Sequence, residues 1–252
     1  MLRWFVLVYG IIAYVIFLGS FLYAIGFVGG FAVPKTIDSG SAGAAFTVYL
    51  VNLGLLSLFA VQHSVMARPV FKRWWTRIIA PATERSTYVL ASSLVLMLLF
   101  WLWRPLSAVV WQVTQPWAVN ALWAVFGIGW LIVLASTFLI SHFDLFGLRQ
   151  VFRYFTGRPY APIPFQTPWL YRVVRHPIML GFLIAFWAIP TMTQGHLLFA
   201  VVVTAYVLIA LQLEERDLVT NHGERYLAYQ RQVRMLAPLP KGSRVTVDDR
   251  HS

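Results

Sequence analysis

Arg175-His176-Pro177 stands at the start of one apolar run, and Glu214-Glu215 stands at the end of the next. A guanidinium, an imidazole and a carboxylate pair can hold a charged ligand and handle protons. Proline is tolerated in the first helical turn, where its missing N–H is unpaired anyway, so Arg175-His176-Pro177 fits a helix start. The free N–H groups there favour an anion. Gly181, one turn on, leaves room for a ligand or another helix. Glu214 and Glu215 are expected to end their helix, where a carboxylate opposes the negative helix terminus. Arg175 across the mouth, Arg216 or a cationic ligand would compensate. Gly223 is a plausible helix stop. Tyr226 and Tyr229, three apart, share a face that packs over a bound ring or over the two helices.

The elements that position these groups are membrane helices. Of 252 residues, 59% are hydrophobic and 12% charged, against about 25% charged in soluble domains. Apolar spans are expected at about 4–33, 44–66, 87–103 and 119–140. The run 178–190 is short, spanning about 20 Å against roughly 30 Å of hydrocarbon, and 197–213 comes closer. A tight turn at Pro190–Gly195 joins them. The expected fold is an all-α integral membrane protein, with four full transmembrane helices and a C-terminal helical hairpin. It forms one domain over 1–240, followed by a polar tail at 241–252. The uncharged run 4–33 is too long for a secretory signal core and reads as a retained span.

The charges fix an expected sidedness. With six membrane helices and the N-terminus inside, 18 of the 20 basic residues fall inside and only Lys35 and Arg104 outside. That follows the positive-inside rule, places the hairpin mouth and both termini in the cytoplasm, and suggests a bacterial inner membrane. The net charge of +11 is accounted for by these loops, and no basic surface with interleaved aromatics points to nucleic acid. Trp74 and Trp75 in the basic segment 68–85 read as interfacial anchors. The proline-rich loop 145–176 cannot be one helix and has the length of a binding loop.

Several chemistries are disfavoured. The chain has no cysteine, which removes a thiol nucleophile and thiolate metal sites. Its six histidines are scattered, so no metal site is expected. The spans lack the internal ionisable residues of a pump, apart from His63 and His196 at their ends. Asn52, Gln62 and His63 read first as inter-helix hydrogen bonders. His142 and Asp144, two apart, diverge on a helix.

The pattern Arg175-His176-Pro177, Gly181, a helical hairpin, Glu214-Glu215 and Gly223-Glu224-x-Tyr226-x-x-Tyr229 resembles the isoprenylcysteine carboxyl methyltransferase superfamily of membrane methyltransferases. The resemblance covers about 70 residues. The motifs Gln62-His63-Ser64-Val65-Met66-Ala67-Arg68-Pro69, Glu84-Arg85-Ser86-Thr87-Tyr88 and His142-Phe143-Asp144-Leu145-Phe146-Gly147 resemble its NnrU and nurim branch, in particular the methanethiol S-methyltransferase group. The resemblance implies S-adenosylmethionine, bound from the cytoplasm. Tyr171, His176, Pro177 and Glu214 would contact it, with Phe165 and Gln166 from the preceding loop, Gly181, Tyr226 and Tyr229. Arg175, His176 and Glu215 are the candidate catalytic groups. Two positions depart from the carboxyl-methylating pattern. Met179 replaces an aromatic, and Ala210 replaces a substrate-binding arginine. A small apolar thiol acceptor, entering from the bilayer, needs no such cation. Direct in-line transfer of the methyl group is expected. Hydrogen sulfide, a larger thiol or a prenylcysteine carboxylate remain as alternative acceptors. A non-enzymatic NnrU or nurim-type membrane protein is the other alternative. Which group deprotonates the thiol, and the oligomeric state, are left open.

Overall fold

The computed structural model describes residues 1–41 and 43–238; the polar tail expected at 241–252 lies outside them. The chain runs α1 (Leu2–Gly29), α2 (Ala45–Ala67), α3 (Pro69–Trp75), α4 (Glu84–Leu102), β1 (Val109–Gln112), α5 (Pro116–Ile140), α6 (His142–Leu145), α7 (Leu148–Phe155), α8 (Leu170–Val173), α9 (Pro177–Trp187), β2 (Thr191–Thr193), α10 (Gln194–His222) and α11 (Glu224–Gln232). Of these, α1, α2, α4, α5 and α10 are long and apolar enough to cross a membrane. The chain is an integral membrane protein. The helix α9 rises only about 16 Å, and a tight turn follows it, the Ile189 N–H donating to the Trp187 carbonyl at 3.0 Å.

Two expectations are corrected. The fold is not purely helical: β1 and β2 pair antiparallel, with Val109 opposite Thr193 and Gln112 opposite Thr191. The β-branched and aromatic residues of β1 suit a strand, but a four-residue strand gives too short a pattern to read. Residues 191–193 are thus a strand, and Thr193 then caps α10, accepting from the His196 N–H at 3.1 Å. Second, α10 does not stop at Glu214-Glu215. It continues about two more turns to Gly223, whose φ of 55° ends it. The acidic pair therefore lies inside the helix, and the expected conflict with its negative end does not arise.

The sheet and its neighbours close the face opposite the mouth. Buried Asn52 donates to the Arg104 carbonyl (2.8 Å) and accepts from its N–H (3.0 Å), tying α2 to the end of α4. Trp103 Nε1 donates to the Ile37 carbonyl (2.9 Å), and Thr193 Oγ1 to Asp38 (2.5 Å). Asn52 is structural, as its position implied.

The core forms where α5 crosses α9, around Phe126, Trp130, Ala185 and Phe186. Gly129 and Gly181 let the two backbones meet. A Cβ on Gly181 would lie 2.6 Å from the Gly129 carbonyl oxygen, a small-residue crossing suited to a membrane. Backbone cannot swing aside, so Gly181→Ala is expected to cost about 1–3 kcal/mol. A fall in thermal midpoint in detergent checks this. Gly19→Ala, which meets nothing within 4 Å, is the control and should leave the midpoint unchanged.

Candidate functional site

The mouth is assembled around Glu215. Consecutive residues on a helix diverge by about 100°, so the acidic pair splits. Glu215 turns inward and is 8% exposed, whereas the Glu214 side chain is 48% exposed. Arg175 grips Glu215 in a bidentate pair, with Nε to Oε1 at 2.8 Å and Nη2 to Oε2 at 2.9 Å. His176 Nε2 lies 2.6 Å from Oε1, the Tyr226 hydroxyl donates to Oε1 at 2.8 Å, and Gln230 donates to Oε2. So many donors favour the ionised carboxylate.

Pro177 is the first residue of α9, as its chemistry requires, and His176 is the N-cap. The anion beside this Arg-His-Pro start is Glu215 of the same chain. A short parallel bridge pairs Val174 with Arg234. The Arg175 N–H donates to the Arg234 carbonyl (2.9 Å), and the His176 N–H to the Met235 carbonyl (3.2 Å). Arg175 Nη1 also donates to the Val233 carbonyl at 2.5 Å. The segment after α11 is thus strapped onto the Arg-His-Pro stretch. Sequence reasoning missed this strap and Gln230, because a backbone bridge leaves no side-chain signature.

The pre-hairpin loop covers the other flank. Phe165 packs on Tyr226 and Tyr229, both at 5.6 Å between ring centroids, and under the Arg225 guanidinium at 5.4 Å. The two tyrosines do share a face, and Phe165 occupies it. Gln166 Nε2 donates to the Ile140 carbonyl (2.9 Å) at the end of α5. The Tyr171 hydroxyl donates to the Ser136 carbonyl (3.3 Å), and the Tyr229 hydroxyl to the Tyr171 carbonyl. Burial pushes the Tyr229 phenol up to about 12, with the Glu215 charge adding to the shift and the Arg175 charge opposing it. Burial, the bond to Glu215 and its charge raise Tyr226 further. Burial first and then the Glu214 charge raise Tyr171. These phenols stay protonated at neutral pH and act as donors.

Of the expected site residues, the structure brings together Phe165, Tyr171, Arg175, His176, Pro177, Glu215, Tyr226 and Tyr229. Gln166 anchors the loop to α5. Of the two occupants expected over Gly181, a ligand or a helix, the structure supplies the helix, α5. Glu214 stands beside the cluster with one ion-pair partner among the described residues, His176 Nδ1 at 3.7 Å. A cleft of about 650 Å³ opens along α10 past Arg175 and Glu215, lined also by Gln212, Arg216, Val219 and Thr220. His142 and Asp144 diverge as expected. His142 is buried against Tyr14 and Thr137, and Asp144 pairs with Arg149 at 3.0 Å. Among the described residues no group of three or more metal-ligating side chains occurs.

This membrane-helix bundle, with its Arg-His and Glu-Tyr cluster at one end, matches the model of the NnrU protein family over residues 51–238. Methanethiol S-methyltransferase of Mycobacterium tuberculosis is 57% identical over 240 residues, covering 95% of this chain and 98% of the relative. Methanethiol S-methyltransferase 2 of Bradyrhizobium diazoefficiens is 57% identical over 247 residues, covering 98% and 95%. Nurim of Bos taurus is 33% identical over 190 residues, covering 72% and 70%. No solved structure matches the chain. The chain belongs to the NnrU family, in the group that holds these methanethiol S-methyltransferases.

Proposed function

We propose that the protein is an S-adenosylmethionine-dependent thiol S-methyltransferase that converts methanethiol to dimethyl sulfide. The observation that carries this reading is Glu214. It is a half-exposed carboxylate beside the Arg175–Glu215 pair, and among the described residues no cation lies at hydrogen-bond distance from it. That is the group a cationic ligand needs. The 57% identity to relatives named for this reaction supports it.

The residues fit the donor's chemistry, a sulfonium cation on an amino acid carrying an adenine ring. Glu214 offers a negative charge, His176 an adjustable donor, and the Phe165, Tyr226 and Tyr229 rings an apolar wall. When bound, the donor supplies a methyl group already activated on sulfur, so direct in-line displacement needs no covalent enzyme intermediate. The chain then has to hold, orient and keep dry. Arg175 and Glu215 act as positioning residues, since their charges are spent on each other. They set the imidazole of His176 and the Tyr226 hydroxyl. Because the sequence puts 18 of its 20 basic residues in segments expected inside, the mouth side is read as cytoplasmic, in a bacterial inner membrane with both termini inside. The lipid bilayer is the route for an apolar thiol.

Acceptor preference tests the reading. With purified protein and labelled donor, methanethiol is expected to be methylated in preference to hydrogen sulfide, a larger thiol and a prenylcysteine. Label appearing on a prenylcysteine carboxylate instead would move the chain to the carboxyl-methylating class.

A further inference from the structure

A second polar cluster lies between α2, α4 and α10, and the contacts around Glu215 do not use it. His63, half-buried near the mouth end of α2, has Nε2 at 2.7 Å from the Tyr88 hydroxyl and Nδ1 at 3.2 Å from Ser92 Oγ, both on α4. Its ring stacks on Phe59 at 5.3 Å. Next to it, Ser64 meets the Tyr206 hydroxyl of α10 at 3.2 Å, and Arg68 pairs with Asp217 of α10 at 3.0 Å. Tyr206, Ala210, Glu214 and Asp217 follow one another at steps of four, four and three, a single stripe of α10. Its two ends are fastened to α2, so Glu214, lying between them, enters the same seam. The Glu214 charge also acts on Tyr88, as it does on Tyr171 and Tyr226.

His63's bonding partners are all hydroxyls. A hydroxyl both donates and accepts, so neither ring nitrogen is committed to one role. His196 differs: its Nε2 faces the Phe186 carbonyl at 2.9 Å and must donate. His142 also bonds hydroxyls, but all its contacts come from α1, α5 and the α6 turn, away from α10. Buried polar groups in a membrane bundle are costly. A ring with neither nitrogen committed, bonded to a phenol of the same seam, gives this cluster a use.

We infer that the seam between α2, α4 and α10 holds the acceptor thiol, and that His63 takes its proton through the Tyr88 hydroxyl. This rests on the reading of the chain as a thiol S-methyltransferase. The thiol S–H bond breaks and its proton joins the Tyr88 oxygen, while the Tyr88 proton passes to His63 Nε2. The electron pair left on sulfur forms the new bond to the methyl carbon. The bond between the methyl carbon and the donor sulfur breaks, and its electron pair stays on the departing neutral thioether. One positive charge is lost at the donor and one gained on the imidazole, and the proton then leaves to solvent. Charged and titratable groups around the His63–Tyr88 pair are Arg85 and Glu84 of α4, Tyr206 and Glu214 of α10, and Arg68 at the C-cap of α2. Arg85, 5.3 Å over the Tyr88 ring, opposes the imidazolium.

The test uses His63→Gln and Tyr88→Phe in the full chain, purified in detergent. Methanethiol turnover at pH 7 is expected to fall about 10²-fold in each, the contribution of a general base. Donor affinity by calorimetry and the thermal midpoint should hold. As pH rises to 9.5, both variants should climb toward wild-type rates, because the thiol ionises unaided. Wild-type turnover in His63→Gln overturns the inference. So does a deficit that stays constant with pH, or a parallel loss of donor affinity; each makes His63 structural. A wild-type protein that neither binds donor nor methylates thiol is a different result. It removes the functional reading, and this inference with it.

Discussion

Glu215→Ala is expected to lower stability by about 3–5 kcal/mol and to abolish donor binding together with turnover. The substitution removes the acceptor of Arg175, His176, Tyr226 and Gln230 at once. Arg175, whose side chain is 9% exposed, then becomes a buried cation without its partner. A buried ion pair is weak support for stability in itself, because desolvation offsets most of its attraction; breaking one side of it is what costs. The double substitution Arg175→Met with Glu215→Leu should therefore recover much of the lost stability without restoring donor binding. Thermal unfolding in detergent and donor calorimetry on the single and double variants check both parts. The strap between Val174 and Arg234 should loosen in the single variant, since Arg175 Nη1 also holds the Val233 carbonyl.

Glu214→Ala should behave in the opposite way. Its side chain is half-exposed, and its ion-pair partner among the described residues, His176, lies 3.7 Å away, so the fold loses little, within about 0.5 kcal/mol. Donor affinity is expected to fall about 10- to 100-fold, the loss of one interaction with a charged group worth about 1.5–3 kcal/mol. Adjacent carboxylates on one helix thus separate into a fold-holding and a ligand-facing residue. A variant pair with both effects in Glu214→Ala, and neither in Glu215→Ala, would reverse those assignments. Calorimetric donor affinity and thermal midpoint, measured side by side, decide it.

Much of this arrangement was legible because its rules are local. Pro177 at the first turn of α9 and Gly223 at the end of α10 follow from backbone chemistry alone. The long spans follow from apolar length. The closeness of Tyr226 and Tyr229 follows from helical spacing. What stayed hidden depends on partners distant in the chain. The inward turn of Glu215 was not readable, because the helix was expected to stop there, whereas it runs on to His222. Strand β1 exists because β2, some 80 residues later, pairs with it, and four residues alone give no period. The sequence alone allows Gly181 either a ligand or a helix as its neighbour, and only the distant Gly129, packed against it, decides for the helix. The His63–Tyr88 contact joins residues whose motifs were visible separately, 25 positions apart.

The half-exposed Glu214 beside the Arg175–Glu215 pair is proposed to serve a cationic methyl donor. Titrating S-adenosylmethionine into the purified wild-type chain, followed by methanethiol with a labelled donor methyl group, tests it most directly. A saturable binding heat and label recovered in dimethyl sulfide are expected. No binding heat together with no labelled dimethyl sulfide would contradict it.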